Sequence, residues 1–147
     1  MLFRSRRVIS KYHWYPRLSV QGMTQRIARI YEEPDFEESL DVAIGVLKVA
    51  CKRIDPEEIE YLEVSEEDTP RRSFDLNLYN ARLYLHELYP TLTRICRYYQ
   101  VDEDKFEAFY HGVKMEAFGH LAGGIHRNGE GFFNVYYGVE DRRFDAQ

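Results

Sequence analysis

Glu116 and His120 stand four residues apart, and His126 follows just beyond the Gly123-Gly124 pair. On a helix, residues at i and i+4 share one face, so a carboxylate placed there can orient an imidazole. Such a pair, with a second histidine close by, has the residue types for general acid–base work or for a divalent metal. His111 flanks the same stretch. The spacing is not that of the known metal helices: there is no His-Glu-x-x-His and no repeated Glu-x-x-His. No residue is assigned as a metal ligand on this spacing, metal binding is the lesser of the two uses, and the sequence implies no particular cofactor. Glu116, His120 and His126 are the catalytic candidates. Against them stands a plainer reading, a buried His120 satisfied by Glu116 or by a backbone carbonyl.

Two other groups of residues invite a functional reading. The first 31 residues hold seven basic side chains and no acid, leaving 13 basic against 25 acidic residues in the rest of the chain. Arg4, Arg6, Arg7, Lys11 and Trp14 combine cations with an aromatic ring, a set that can neutralise phosphate and stack on bases, or meet an acidic partner. The net charge of −5 argues against a dedicated nucleic-acid binder. The other group is apolar. Val42, Val46 and Val49 add a second stripe to an already apolar helix, Leu85 and Leu92 lie on a heptad-like seam, and Tyr136 sits on an aromatic strand. These six are the interface candidates.

Gly119, Gly123, Gly124, Gly129 and Gly131 follow the helix that holds Glu116 instead of preceding one, so they offer no positive helix end to an anion. Turn chemistry is the expected reason for them. No phosphate loop, dinucleotide fingerprint or nucleophile elbow is present.

The elements that must position these residues follow from periodicity. Phe36, Leu40, Ile44, Leu47, Cys51 and Ile54 predict a helix over 35–54, with Asp35 as cap, Glu38 completing a capping box and Asp55-Pro56 as stop. Residues 57–64 alternate as a strand. Leu78, Ala81, Leu85, Leu88, Leu92, Ile95 and Tyr99 keep a three-four spacing that predicts a helical stretch over 75–99, kinked or divided at Pro90. A third helix is predicted over 103–121, capped by Asp102. Asn128-Gly129 signals a hairpin between 124–127 and an aromatic strand over 132–139, with both faces of that strand covered. Residues 17–31 fit either a short helix capped by Thr24 or a strand.

The expected architecture is α+β: about three main helices packed on a small, mostly antiparallel sheet that ends in a C-terminal β-hairpin. Residues 1–20 read as a basic aromatic arm, with the Tyr12–Pro16 cluster seeking burial, and 21–147 as a single domain. At 147 residues the chain can bury a core without metal or disulfide. Two cysteines, each on an apolar stripe, point to a reducing compartment. Cytoplasm is expected, with an organellar matrix as the alternative given the Arg-rich opening. No apolar run is long enough for membrane insertion.

The function expected from these features is that of a small soluble accessory or assembly protein, acting as a homo-oligomer or with a protein partner. A small enzyme or metal-binding protein using Glu116, His120 and His126 is the alternative, and nucleic-acid binding through the arm is the third reading.

Overall fold

Apolar and polar residues alternate in Arg72–Asn77, and this segment pairs with four others in one antiparallel sheet. The computed structural model describes residues 9–138. The strands are β1 (Ser10–Tyr15), β2 (Glu60–Glu66), β3 (Arg72–Asn77), β4 (Phe118–Ile125) and β5 (Gly131–Tyr137), lying side by side in chain order. Helices α1 (Val20–Ile30) and α2 (Glu37–Cys51) connect β1 to β2, and α3 (Tyr89–Tyr98) and α4 (Glu103–Val113) connect β3 to β4. After β1 the chain thus runs twice through a helix pair followed by a strand pair. The class is α+β, with four α-helices among the described residues and a sheet whose last two described strands form a hairpin.

Side chains alternate across a strand, so each row of partners belongs to one face. Tyr61, Leu76, Leu121 and Val135 share a row, as do Glu63, Phe74, Gly123 and Phe133. Tyr61, Leu76 and Leu121 are wholly buried, and with Met23, Ile27, Val46 and Leu47 from the helices they fill the core. α2 lies against both α1 and α3, which accounts for its broad apolar surface. α1 is fastened to the sheet by Arg26. Its guanidinium lies 3.6 Å over the Tyr15 ring and bonds both oxygens of Glu63, at 2.9 and 3.2 Å, while Tyr61 donates to the same carboxylate at 2.8 Å.

The structure corrects several expectations. The seam over 75–99 is not a helix: it comprises the end of β3, single 3-10 turns at Tyr79–Ala81 and Leu85–Leu88, and α3. Its apolar residues are nonetheless core, with Leu78, Ala81, Leu85, Leu88 and Leu92 all buried. Pro90 sits in the first turn of α3, where its missing N–H breaks no hydrogen bond. The third helix stops at Val113, and the residues assigned to its end are the start of β4. Gly119, Gly123 and Gly124 are therefore strand residues and not turn glycines.

The caps differ as well. Ser19, not Thr24, caps α1 by accepting from the Gly22 N–H at 3.0 Å. A 3-10 turn at Pro34–Phe36 leads into α2, so Asp35 makes no side-chain cap, and Glu38 pairs with Arg94 instead. Residues 10–15 of the arm pair with β2, which leaves Tyr12 and Trp14 about two-thirds exposed where burial was expected. Nor is the last strand covered on both faces, since half of Tyr136 is open to solvent.

Candidate functional site

The other face of the sheet carries no described helix. Of its inner strands, β3 and β4 present short or polar residues, Ser73, Asp75 and Asn77 on β3 and His120, Ala122 and Gly124 on β4, while β2 adds the half-buried Leu62 and Val64. Larger aromatic side chains rise from the two edge strands, Tyr12 and Trp14 on β1 and Phe132 and Tyr136 on β5. The short residues of β3 and β4 lie between Leu62 and Val64 of β2 on one side and Phe132 and Tyr136 of β5 on the other, which makes a shallow trough over those two strands. Gly124 is part of its floor by necessity. Its φ is +148°, and a Cβ there would lie 2.2 Å from the Arg72 carbonyl oxygen.

At one end of the trough Asp75 and His120 meet. Asn77 is directly opposite His120 and Ala122 is opposite Asp75, so the pair is a diagonal cross-strand contact. Asp75 Oδ1 lies 2.7 Å from His120 Nδ1, and both side chains are 29% exposed. A carboxylate accepts, so Nδ1 donates; a ring that holds its one proton there carries its lone pair on Nε2. Two tyrosines hold the imidazole edge to face: Tyr79 with ring centroids 5.3 Å apart, and Tyr136 at 5.9 Å.

Tyr79 reaches this position through local backbone chemistry. Its N–H bonds the Asn77 side chain at 3.2 Å, which turns the chain at the end of β3. Its ring then lies directly on Gly119, where a Cβ would come within 2.3 Å of the ring. The strand register shifts between Phe118 and His120, a bulge that re-aims His120 beside Tyr79.

The three catalytic candidates read from the sequence are not brought together. Glu116 lies before β4, exposed, and shares no helix face with His120. His126 is just past the far end of β4, about 20 Å from His120 at the usual rise per strand residue. It stacks on Phe132 with centroids 4.2 Å apart. His120 alone of the three has an orienting carboxylate, and that carboxylate is Asp75. The signal for Asp75 was present in the alternation Ser73-Phe74-Asp75-Leu76-Asn77-Leu78, which the helical reading of 75–99 overrode.

Of the interface candidates, Val42, Val46, Leu85 and Leu92 are buried in the chain's own core, Val49 is half-buried, and Tyr136 is exposed at the trough. Of the basic set, Arg4, Arg6 and Arg7 fall outside the described residues. Lys11 is paired with Glu67, and Trp14 stands exposed on this face.

Elsewhere, an open groove of about 600 Å³ runs along α2 past Asp35, Glu37 and Asp41. It is a solvated acidic helix face, and Arg94 spans part of it by bonding Glu38 and Asp41. A second cavity, about 220 Å³, lies between α3 and α4 beside Cys96. Burial pushes that thiol up, away from nucleophilic form. Among the described residues no cluster of three His, Cys, Asp or Glu could hold a metal, and no helix is long and apolar enough to cross a membrane. In comparisons with known proteins, the chain matches no family model, no curated protein and no solved structure.

Proposed function

We propose that the chain is a small enzyme that binds a small molecule in the trough of the sheet face that no described helix covers, and moves a proton with His120. The observation that carries this reading is the 2.7 Å Asp75–His120 contact in a partly exposed position. Asp75 fixes the tautomer and aims the ring, as an orienting carboxylate does for a general base. Nε2 would take a proton from an O–H or N–H of the bound molecule and return it later. The aromatic margins favour a flat, largely apolar molecule. Glu116 and His126 have no part in this step.

His120 ring nitrogens, followed by 1H–15N spectroscopy, test the arrangement. In the native chain the ring should hold its proton on Nδ1, and Asp75→Asn should let the other tautomer appear. Trp14, the one tryptophan of the chain, should shift its emission when flat small molecules with an exchangeable proton enter the trough. His120→Asn should leave that binding intact while abolishing turnover. A ring with mixed tautomers in the native chain, or small molecules that never disturb Trp14 or His120, would sink the reading.

The accessory or assembly role remains a second reading, favoured by the exposure of Tyr12, Trp14 and Tyr136. Large exposed aromatics are the residues protein interfaces use most. Nucleic-acid binding has less support among the described residues of this face, where Glu60, Glu66 and Asp75 outweigh Arg127, itself paired with Glu66.

A further inference from the structure

The two margins of the sheet differ in how they are guarded. β1 carries Lys11 and His13 and runs into Pro16 soon after its last residue. Charges and proline are what proteins place on an edge strand to discourage pairing. β5 has neither: Gly131-Phe132-Phe133-Asn134-Val135-Tyr136-Tyr137 is seven residues without a charge or a proline. It is the terminal strand of the sheet among the described residues.

The hydrogen bonds fix which of its groups face outward. His126 N–H donates to the Glu130 carbonyl, and Gly138 N–H donates to that of Ala117, so the even positions along β5 turn their backbone groups toward β4. In an antiparallel ladder the remaining positions, Gly131, Phe133, Val135 and Tyr137, turn theirs to the free edge.

We infer that β5 pairs with β5 of a second copy, antiparallel about a twofold axis at Asn134. The outward positions match themselves in this register. Phe133 exchanges hydrogen bonds with the partner's Val135, and Gly131 with the partner's Tyr137. Phe132 and the partner's Tyr136 form the closer, non-hydrogen-bonded pairs, an aromatic combination that stabilises a sheet. No like charges meet along the strand, and Asn134 faces its own copy on the axis.

Phe109, half exposed and edge-on to Tyr137, lies at the same margin. Because the twofold stands perpendicular to the sheet, the described helices stay on one side and the two faces that carry His120 join. The partner's Phe132 then packs beside Tyr136, which touches His120, so each copy completes the other's trough wall. Pairing itself does not depend on the proposed chemistry; only that last consequence does.

Sedimentation equilibrium and native mass spectrometry should give twice 17.6 kDa for the full chain. Asn134→Cys should cross-link at low protein concentration under mild oxidant, since facing non-hydrogen-bonded positions approach disulfide range. Tyr12→Cys on β1, and the native chain with Cys51 and Cys96, should not. Asn134→Lys, which sets two cations face to face on the axis, should return the mass to that of one chain that still melts cooperatively, at a temperature that no longer depends on protein concentration. A native chain that stays monomeric at high concentration, with Asn134→Cys uncross-linked, overturns the inference. So does a dimer that survives Asn134→Lys and cross-links through Tyr12→Cys. Failure of these tests leaves the His120 tautomer untouched, so the two proposals stand or fall separately.

Discussion

Leu76 and Asp75 are neighbours on one strand, and they belong to different proteins in all but sequence. Leu76 is wholly buried under the helices, in a row with Tyr61, Leu121 and Val135. Asp75 points to the other side, where under a third of its side chain meets water and its carboxylate accepts from His120 at 2.7 Å. The helix side is apolar, closely packed and makes the fold stable. The far side spends the same strands on a polar pair, small floor residues and half-exposed aromatics, which contribute little burial. A period of two lets one sheet carry both without compromise, because a change on one face leaves the other's packing alone.

The sharpest way to break this comparison is to mutate the two neighbours. Leu76→Ala should cost about 2–5 kcal/mol in a urea melt, the usual range for a buried leucine in a closed core. Asp75→Ala should cost less than about 1 kcal/mol, since water can reach the His120 nitrogen it leaves. The same variant should release the His120 tautomer. Comparable losses for the two would mean that the uncovered face is a structural layer like the other.

Gly119→Ala sharpens the comparison at the place where the two faces are stitched together. The added methyl must displace the Tyr79 ring, 2.3 Å away. Overpacking of this kind costs about 1–3 kcal/mol. The specific expectation is that His120 ring-proton shifts move as the Tyr79 ring current leaves, while the shifts of Leu76 and Leu121 hardly change. Movement of both sets together would show that Tyr79 belongs to the core and does not serve to place His120.

How far the sequence disclosed this depends on which period dominated each segment. The helix α2 was legible because Phe36, Leu40, Leu47 and Cys51 repeat only at helical spacing. In 75–99 two periods overlap. Leu78, Leu85 and Leu92 fit a heptad, yet Phe74, Leu76 and Leu78, then Ala81, Leu83 and Leu85, recur at two, and Leu83 has no place on the helical stripe. Single 3-10 turns bring residues three apart onto one side, so they imitate a helix while feeding the same core. Core membership was therefore readable where element type was not.

The site suffered from that one error twice. Reading a helix through Leu121 gave His120 a false partner in Glu116, and reading a helix from residue 75 hid the true one. No local signal joins Asp75 to His120, because their contact spans 45 residues and exists only once β3 and β4 pair. The tight approach of Tyr79 to Gly119 is equally non-local, which is why those glycines looked like turns.

Glu66 offers the smallest and most conditional test, at the end of the uncovered face that is not open. Its side chain is fully covered. It accepts from Ser10 of β1 at 3.3 Å, from Thr69 at 3.0 Å and from Arg127 of the β4–β5 turn at 2.6 and 2.7 Å. Bonds from Arg127 above all, helped by Thr69 and Ser10, hold its carboxyl down at about 2, against an ordinary 4.5. A depressed folded-state value means that the ionised form stabilises the fold. That stability is fully present above about pH 4.5 and is lost as pH falls from there toward about 2. Glu66→Gln should therefore melt lower than the native chain near neutral pH, and the gap should close on acidification through that window. Subtracting the variant removes the contribution of other carboxylates, such as Glu67, which Lys11 also holds low. A gap that stays constant with pH would mean that Glu66 seals this end of the face by shape alone. The uncovered side would then owe none of its order to charge, and the contrast with the helix side would narrow to the Asp75–His120 pair.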